Sequence, residues 1–208
     1  MNTLQSIYDN KLVAVIRGAK EDEVLDIAEA LYEGGVKILE ITAETPGFLN
    51  LISQLSNTFD DQVIVGAGTV LDPETARAAI LSGAKFIFSP TVNTETIQMT
   101  NRYGAVSIPG AMTPTEILTA YEHGADVIKV FPAGVLGPTY LKDVHGPLSH
   151  IPLMPTGGID VGNIKEYFQN GAAAAGIGSS LVNTKKPMDE EALQEITKKA
   201  AQFVKAIT

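Results

Sequence analysis

The sequence predicts an α/β protein in which eight strand–helix units form a (β/α)8 barrel, preceded by an extra N-terminal helix. Short apolar strands alternate with helical segments eight times along 208 residues, a pattern typical of a closed parallel sheet. The connections are short, and no linker rich in proline, serine or charge separates the units. We therefore predict a single domain over residues 1–208, with a doubly wound open sheet as the structural alternative.

The first half of the chain contains four of these units. After the first strand, apolar residues from Val24 to Leu31 lie along one helix face, and Gly34-Gly35 ends that helix. Asp72 followed by Pro73 is typical of an N-cap and a first helical turn. The extra helix is predicted at residues 3–8. Strands are predicted at 12–16 and 37–42, beginning at 63, and at 86–88. Helices are predicted at 21–32, 46–55 and 73–83, and a further helix after the fourth strand ends at 99.

The second half repeats the pattern. Thr113, Pro114 and Glu116 have the spacing of a capping box with proline at the first helical position. The sixth strand contains Lys129 and ends at a Phe-Pro pair, which is typical of an exit turn. Strands are predicted at 105–108, around 129, at 151–154 and at 173–177, and helices from 114, at 140–149, 161–169 and 190–207.

The composition excludes several classes of protein. Apolar residues make up 45% of the chain and charged residues 19%, as expected for a compact fold. The net charge of −9 opposes nucleic-acid binding, which relies on basic patches. No apolar run approaches the roughly 18 residues of a membrane span, and the N-terminal segment lacks the pattern of a secretory signal. The absence of cysteine excludes disulfides and is compatible with a cytoplasmic protein.

A lysine stands in the middle of an otherwise apolar strand, Asp126-Val127-Ile128-Lys129-Val130-Phe131-Pro132. Burying an ammonium group is costly, so Lys129 must be paired, deprotonated or turned toward a polar cavity. Desolvation lowers the pKa of a lysine, and a partly neutral amine can attack a carbonyl to form a Schiff base. The alternative is a structural ion pair with a buried carboxylate.

Glu40, in the second strand, allows two comparable interpretations. It is either the buried partner of Lys129 or a strand-end charge, or it is a general base held near a substrate hydroxyl, directly or through a water. Active sites of these barrels lie at the C-terminal ends of the strands, where both residues are expected. Catalysis is therefore the favoured interpretation for the pair.

Polar and glycine residues follow several of the other strands. Loops after the seventh and eighth strands form the usual phosphate site of this barrel class, because glycine lets backbone N–H groups approach phosphate oxygens. The alternative is a set of tight turns that need positive φ. The residues concerned are Thr156, Gly157 and Gly158 after one strand and Gly178 and Ser179 after the other.

Two further residues are candidates for binding a substrate carboxylate. Arg17 follows the first strand and could form a bidentate contact, although a surface salt bridge is its alternative role. Thr69, in the glycine-rich exit of the third strand, could donate a hydrogen bond to the same group or satisfy the turn. No grouping of Asp, Glu and His has metal-ligand spacing, so we predict no metal site.

Six short motifs follow one another in an order that is specific to one family. They resemble the bacterial KDPG/KHG aldolases (2-keto-3-deoxy-6-phosphogluconate and 4-hydroxy-2-oxoglutarate aldolases), which are class I aldolases on a (β/α)8 barrel. The resemblance covers nearly the whole chain, from Val13–Arg17 to Gly178-Ser179. The motifs are Leu39-Glu40-Ile41-Thr42, Gly66-Ala67-Gly68-Thr69-Val70, Phe88-Ser89-Pro90, Ile108-Pro109-Gly110, Lys129-Val130-Phe131-Pro132 and Pro155-Thr156-Gly157-Gly158-Ile159.

The resemblance implies a role for each candidate residue. Lys129 is then the Schiff-base lysine and Glu40 the general base. No cofactor is implied, because the imine itself is the electron sink, and family members are usually trimers, which implies a homotrimer. The remaining roles are Arg17 and Thr69 at the substrate carboxylate, Pro90, Phe131 and Thr156 in the pocket wall, and Gly157, Gly158, Gly178 and Ser179 at the phosphate.

The chain departs from the family pattern at one position. Some members carry arginine shortly after the catalytic glutamate, where this sequence has Glu44. A carboxylate cannot bind an anionic substrate as arginine does, so the carboxylate contact is expected to fall on Arg17. The exact 2-keto acid is left open by this difference.

The implied reaction is cleavage of 2-keto-3-deoxy-6-phosphogluconate, a phosphorylated 2-keto acid, to pyruvate and glyceraldehyde 3-phosphate. Closely related alternatives are cleavage of the 6-phosphogalactonate epimer or of 4-hydroxy-2-oxoglutarate. Alternatives of another class are a phosphate-binding barrel epimerase or decarboxylase and an inactive sugar-phosphate-binding barrel.

Overall fold

The computed structural model describes residues 2–208 as alternating helices and strands. A short 3-10 helix, Asp60–Gln62, precedes the third strand. The strands are β1 Leu12–Ile16, β2 Ile38–Thr42, β3 Ile64–Gly68, β4 Phe86–Phe88, β5 Val106–Ile108, β6 Gly110–Ala111, β7 Ile128–Val130, β8 Leu153–Pro155 and β9 Ala175–Ile177. The helices are α1 Thr3–Asn10, α2 Val24–Glu33, α3 Phe48–Phe59, α4 Pro73–Leu81, α5 Thr94–Arg102, α6 Pro114–Glu122, α7 Ala133–Leu136, α8 Thr139–His145, α9 Ile164–Gln169 and α10 Glu190–Ile207.

All paired strands are parallel, and they form two sheets. The larger sheet has six strands in the order β5-β4-β3-β2-β1-β9 and curls into a half-barrel, and the smaller has the order β6-β7-β8. In the larger sheet, Glu40 on β2 lies opposite Val15 of β1 and Gly66 of β3. In the smaller sheet, Lys129 on β7 lies opposite Gly110 and Met154.

The strands pair into two separate sheets instead of the predicted single eight-stranded barrel. Proline has no N–H to donate to a ladder, and Pro109 separates β5, the predicted fifth strand, from β6, a two-residue strand that was not predicted and belongs to the other sheet. On the other side, a single parallel bridge between Thr156 and Gly176 links the end of β8 to β9. The α/β class is confirmed, whereas a full barrel of eight strands is not shown.

Local sequence signals explain where several helices begin. The Asp72 carboxylate accepts a hydrogen bond from the Thr75 N–H at 2.6 Å, as an N-cap does. Thr113 and Glu116 form the predicted capping box at the start of α6. The short helix α7 was not predicted, because four residues carry too little periodicity to be recognised.

The core has two apolar layers. One lies between the strands and the surrounding helices, as expected for parallel strands that are covered by crossover helices. The other lies inside the curled sheets, where Phe86 and Phe88 pack with Met154, and Ile7 of α1 covers the N-terminal end. Helix α1 therefore closes one end of the strands, and the polar residues collect at the other. Among the described residues, no helix is long and apolar enough to cross a membrane.

Candidate active site

A cavity of about 470 Å³ opens at the C-terminal ends of the strands. All the site residues predicted from the sequence line it: Arg17, Glu40, Thr69, Pro90, Lys129, Phe131, Thr156, Gly157, Gly158, Gly178 and Ser179. The wall also contains residues that were missed from the sequence, namely Val15, Ile159, Asp160 and Ser180. Asp160 had a usable signal, since an acidic residue between a glycine turn and a helix commonly binds backbone N–H groups there.

Lys129 lies on β7 and is a buried residue of the cavity wall. The residue is only 6% exposed. Its Nζ atom lies 5.1 Å from the ring centres of both Phe88 and Phe131. Burial lowers the pKa of Lys129, and the charge of Glu40 partly opposes this effect by raising it. A larger fraction of Lys129 is therefore a neutral, nucleophilic amine near pH 7 than for a lysine in water.

Glu40 is the most buried charged residue of the cavity wall, with 1% of its surface exposed. Burial raises its pKa from 4.5 to about 7, although the charges of Lys129 and Arg17 act to lower it. Its Oε2 atom is buried and has no hydrogen-bond partner within residues 2–208. A carboxyl group with this pKa can accept or donate a proton near neutral pH, as a general acid–base group must.

Lys129 and Glu40 influence each other electrostatically without forming a close ion pair. The charge of Glu40 raises the pKa of Lys129, and the charge of Lys129 lowers the pKa of Glu40. The ion pairs within 4 Å in the described part of the chain are Arg17–Glu44, Lys20–Glu23 and Lys199–Glu195. The purely structural interpretation of Lys129, as the partner of a buried carboxylate in direct contact, therefore has no support in the geometry.

Gly68, at the end of β3, leaves the space that the Glu40 carboxyl group occupies. A Cβ atom at this position would overlap Glu40 Oε1 and Cδ. Gly176 has a similar relation to Thr156, because a Cβ there would overlap the Thr156 hydroxyl. These glycines let two polar side chains lie against neighbouring strands at the cavity wall.

We expect Gly68→Ala to lower turnover by about 10²-fold, because the added methyl group displaces the Glu40 carboxyl group from its position. Steady-state kinetics measures the loss, and circular dichroism checks that the protein is folded. Gly146→Ala is the matched control, since its added Cβ would meet only the Asp143 carbonyl oxygen at 3.3 Å. Full activity of folded Gly68→Ala would contradict the assignment of this space to Glu40.

Arg17 and Thr69 meet at the entrance of the cavity. The Arg17 Nη2 donates to Thr69 Oγ1 at 3.3 Å, and Nη1 forms an ion pair with Glu44. Thr69 adopts a φ of 54°, which is unfavourable for a β-branched residue and is maintained by the surrounding structure. The structure thus brings the two predicted carboxylate-binding residues into contact, and it adds Glu44 to them.

The glycine turn after β8 presents backbone donors to the cavity. Gly157 and Gly158 have φ values of 88° and 76°, which explains why glycine stands at both positions. Their carbonyl groups accept hydrogen bonds from Gly134 N at 2.8 Å and Asn163 Nδ2 at 2.9 Å. The N–H groups of Gly158 and Ser179 donate to no other backbone group in residues 2–208, so they are available to an anion.

Two polar side chains beside this turn are already hydrogen-bonded within the chain. Asp160 lines the cavity, but its Oδ1 atom accepts hydrogen bonds from the N–H groups of Gly162 at 2.8 Å and Asn163 at 3.0 Å. Ser180 is also engaged, because its hydroxyl donates to the Ile159 carbonyl at 2.6 Å. The exposed Ser179 is thus the serine whose hydroxyl can reach a ligand.

Within residues 2–208, no three His, Cys, Asp or Glu side chains are grouped so as to hold a metal ion.

The comparisons with known proteins agree on one family. The family model described as KDPG and KHG aldolase matches residues 4–199. A 2-dehydro-3-deoxy-6-phosphogalactonate aldolase of Escherichia coli is 35% identical over 94% of this chain and 93% of its own length. A 2-dehydro-3-deoxy-phosphogluconate aldolase of Pseudomonas aeruginosa is 38% identical over 76% of this chain and 71% of its own length.

A solved structure is similar over almost the whole fold. It is the KDPG aldolase of Legionella pneumophila with pyruvate captured at low pH as a covalent carbinolamine intermediate. It has a TM-score of 0.87 and 29% sequence identity to this chain, and the match covers 96% of this chain and 97% of that one.

Proposed function

The chain belongs to the family of KDPG and KHG aldolases, and we propose that it cleaves 2-keto-3-deoxy-6-phosphogluconate through a Schiff base on Lys129. The products would be pyruvate and glyceraldehyde 3-phosphate. The observation that carries this proposal is the presence, in one cavity, of a buried lysine and a buried carboxyl group with an unpartnered oxygen. The similar structure with pyruvate held as a carbinolamine supports it, because a carbinolamine is the adduct of an amine with a ketone.

The proposed mechanism uses these two side chains in sequence. The neutral Lys129 amine attacks the C2 ketone, and loss of water gives a protonated imine. Glu40, directly or through a water, removes the proton of the C4 hydroxyl while the C3–C4 bond breaks, and the bonding electrons pass into the imine to form an enamine. Glyceraldehyde 3-phosphate leaves, the enamine is protonated at C3, and hydrolysis releases pyruvate and regenerates the lysine.

The remaining cavity residues have positioning roles in this proposal. Arg17 and Thr69 bind the carboxylate next to the ketone, and Pro90, Phe131 and Thr156 form the wall around the reacting carbons. The backbone donors of Gly157, Gly158 and Gly178, together with the Ser179 hydroxyl, bind the phosphate. Support comes from the open N–H groups of Gly158 and Ser179, since backbone N–H groups are good phosphate donors.

The second candidate substrate is the 6-phosphogalactonate epimer. The relative from Escherichia coli with this specificity matches 94% of the chain, which is a longer match than that of the Pseudomonas relative. The two substrates differ in the configuration of one hydroxyl group. Comparison of kcat/KM for the two epimers and for 4-hydroxy-2-oxoglutarate, in one assay of pyruvate release, identifies the preferred substrate.

The architecture and assembly complete the proposal. We propose that the two sheets act as one closed eight-strand barrel within a single domain. Support comes from hydrogen bonds at both junctions, Lys129 N to Pro109 O and Ala173 N to Leu153 O, each at 2.9 Å. Following the family resemblance, we propose a homotrimer in the cytoplasm, and sedimentation analysis of the purified protein tests the trimer.

The test of the proposed function is reductive trapping. The folded protein is incubated with pyruvate and sodium borohydride, and its peptides are mapped by mass spectrometry. We expect a reduced pyruvyl adduct on Lys129. Absence of the adduct would return Lys129 to a structural role and favour the epimerase or binding-barrel alternatives.

For the phosphate site, we expect Ser179→Ala to raise KM for the phosphorylated substrate by roughly tenfold or more, the effect of one hydrogen bond to a charged group. The KM for 4-hydroxy-2-oxoglutarate, which has no phosphate, should not change. Steady-state kinetics on both substrates checks the difference. An equal effect on the two substrates would place Ser179 elsewhere than at the phosphate.

A further inference from the structure

Glu44 lies at the cavity entrance and contacts Arg17, a residue of the cavity wall. We infer that Glu44 is a specificity-determining residue that competes with the carboxylate of a 2-oxo acid for Arg17. This inference rests on the proposed function, because it takes Arg17 as the group that binds the substrate carboxylate. Glu44 then weakens the binding of 2-oxo acids.

The hydrogen bonds of Arg17 show why the two carboxylates compete. Arginine holds a carboxylate best with two parallel N–H donors. In the structure, Nη1 of Arg17 pairs with Glu44, and Nη2 donates to Thr69 Oγ1 at 3.3 Å. Both terminal nitrogens therefore have partners inside the chain. A substrate carboxylate can use both only after the Glu44 side chain moves away.

The ion pair is weak enough to be displaced. The Arg17 side chain is 63% exposed and that of Glu44 40% exposed. Exposed ion pairs of this kind contribute little to stability. A substrate that is also anchored at its ketone and at its distal end can replace Glu44 at this small cost. The contact thus reduces affinity without abolishing binding.

The backbone around Glu44 is fixed, so the exchange requires only a side-chain movement. The Ala43 N–H donates to the Gly68 carbonyl at 2.7 Å, and the Thr45 N–H donates to the Thr42 carbonyl at 2.9 Å. The Thr45 hydroxyl also accepts from the Gly18 N–H at 2.9 Å. Glu44 therefore stays beside Arg17 with its backbone in place, and a rotamer change removes its carboxylate.

The charge of Glu44 also reaches the two buried groups. It raises the pKa of both Glu40 and Lys129, against the effect of Arg17. Removal of this charge leaves a larger positive field at the entrance, which favours an anionic substrate. The loss of competition and the gain in field act in the same direction on binding.

The test is the Glu44→Gln variant, with the borohydride trapping of pyruvate as the probe. The concentration of pyruvate that gives half-maximal adduct on Lys129 should fall by roughly two- to fivefold, with KM for the cleaved substrate falling and kcat unchanged. In an Arg17→Gln background, the same replacement should have a smaller effect, because only the contribution of the charge to the field is left. Glu23→Gln is the matched control, since it removes an equal charge from an ion pair, Lys20–Glu23, outside the cavity.

Each outcome separates this inference from the proposed function. A wild-type adduct on Lys129 together with an unchanged half-saturating concentration in Glu44→Gln overturns the inference alone. An increased concentration also overturns it, because Glu44 would then orient Arg17 for the substrate. A decrease of the same size in the Arg17→Gln background assigns the effect to charge only and refutes competition. No adduct on the wild-type protein overturns the proposed function and this inference with it.

Discussion

Replacement of Lys129 by methionine should abolish carbon–carbon bond cleavage, with a loss of roughly 10⁴-fold or more, as for other covalent nucleophiles. Methionine keeps most of the side-chain length and volume, so it fills the space between Phe88 and Phe131 but offers no amine. The reaction without an imine has no electron sink for the C3–C4 bond. Pyruvate release and borohydride trapping should both disappear.

The same variant should remain folded, which distinguishes a chemical loss from a structural one. Removal of a buried charge that lacks a close ion-pair partner removes a desolvation penalty, so the melting temperature should stay equal or rise. Lys85→Met is the control, because Lys85 is exposed next to β4 and outside the cavity. Substantial activity in folded Lys129→Met would refute the Schiff-base mechanism.

Replacement of Glu40 by glutamine should separate imine formation from bond cleavage. Glutamine is nearly isosteric but cannot accept the C4 hydroxyl proton, so turnover should fall by about 10²-fold or more. The Lys129 amine is still present, and pyruvate trapping should continue. Parallel measurement of turnover and of the trapping rate tests the assignment, and unchanged turnover is the contrary result.

The pH dependence of trapping gives a second readout for this variant. The charge of Glu40 raises the pKa of Lys129, so its removal should lower that pKa further. The amine fraction then persists to lower pH, and the acid limb of the trapping rate should move to lower pH. In the wild-type protein, turnover should fall as pH drops through about 7, because Glu40 takes up a proton there. The two apparent pKa values belong to the coupled pair.

Much of the site could be predicted because its chemistry needs residues that are otherwise costly where they stand. A lysine between Ile128 and Val130, and a glutamate between Leu39 and Ile41, conflict with the apolar pattern of buried strands. Such conflicts are expected at functional positions. The C-terminal ends of parallel strands converge, which explains how residues distant in sequence, from Arg17 to Ser179, line one cavity.

Other features depend on tertiary geometry that single-sequence patterns do not carry. Strand β1 matches its predicted range, since Leu12–Ile16 is bounded by polar residues on both sides. The additional strand β6, after Pro109, depends on which backbone groups meet across the sheets, and this is not visible in the periodicity. Likewise, Glu44 could be recognised as a departure from the family pattern, but its contact with Arg17 required the three-dimensional arrangement of two loops.

The division into two sheets has a consequence for tolerance to mutation. Glu40 belongs to the six-stranded sheet and Lys129 to the three-stranded one, so the proposed reacting pair is assembled across a seam. The spacing between amine and carboxyl depends on how firmly the seam is held at Pro109 and at the bridge between Thr156 and Gly176. Substitutions at these seam positions can change the distance between the Lys129 amine and the Glu40 carboxyl group while both groups stay intact. Substitutions within one sheet shift that sheet and its own reacting group together.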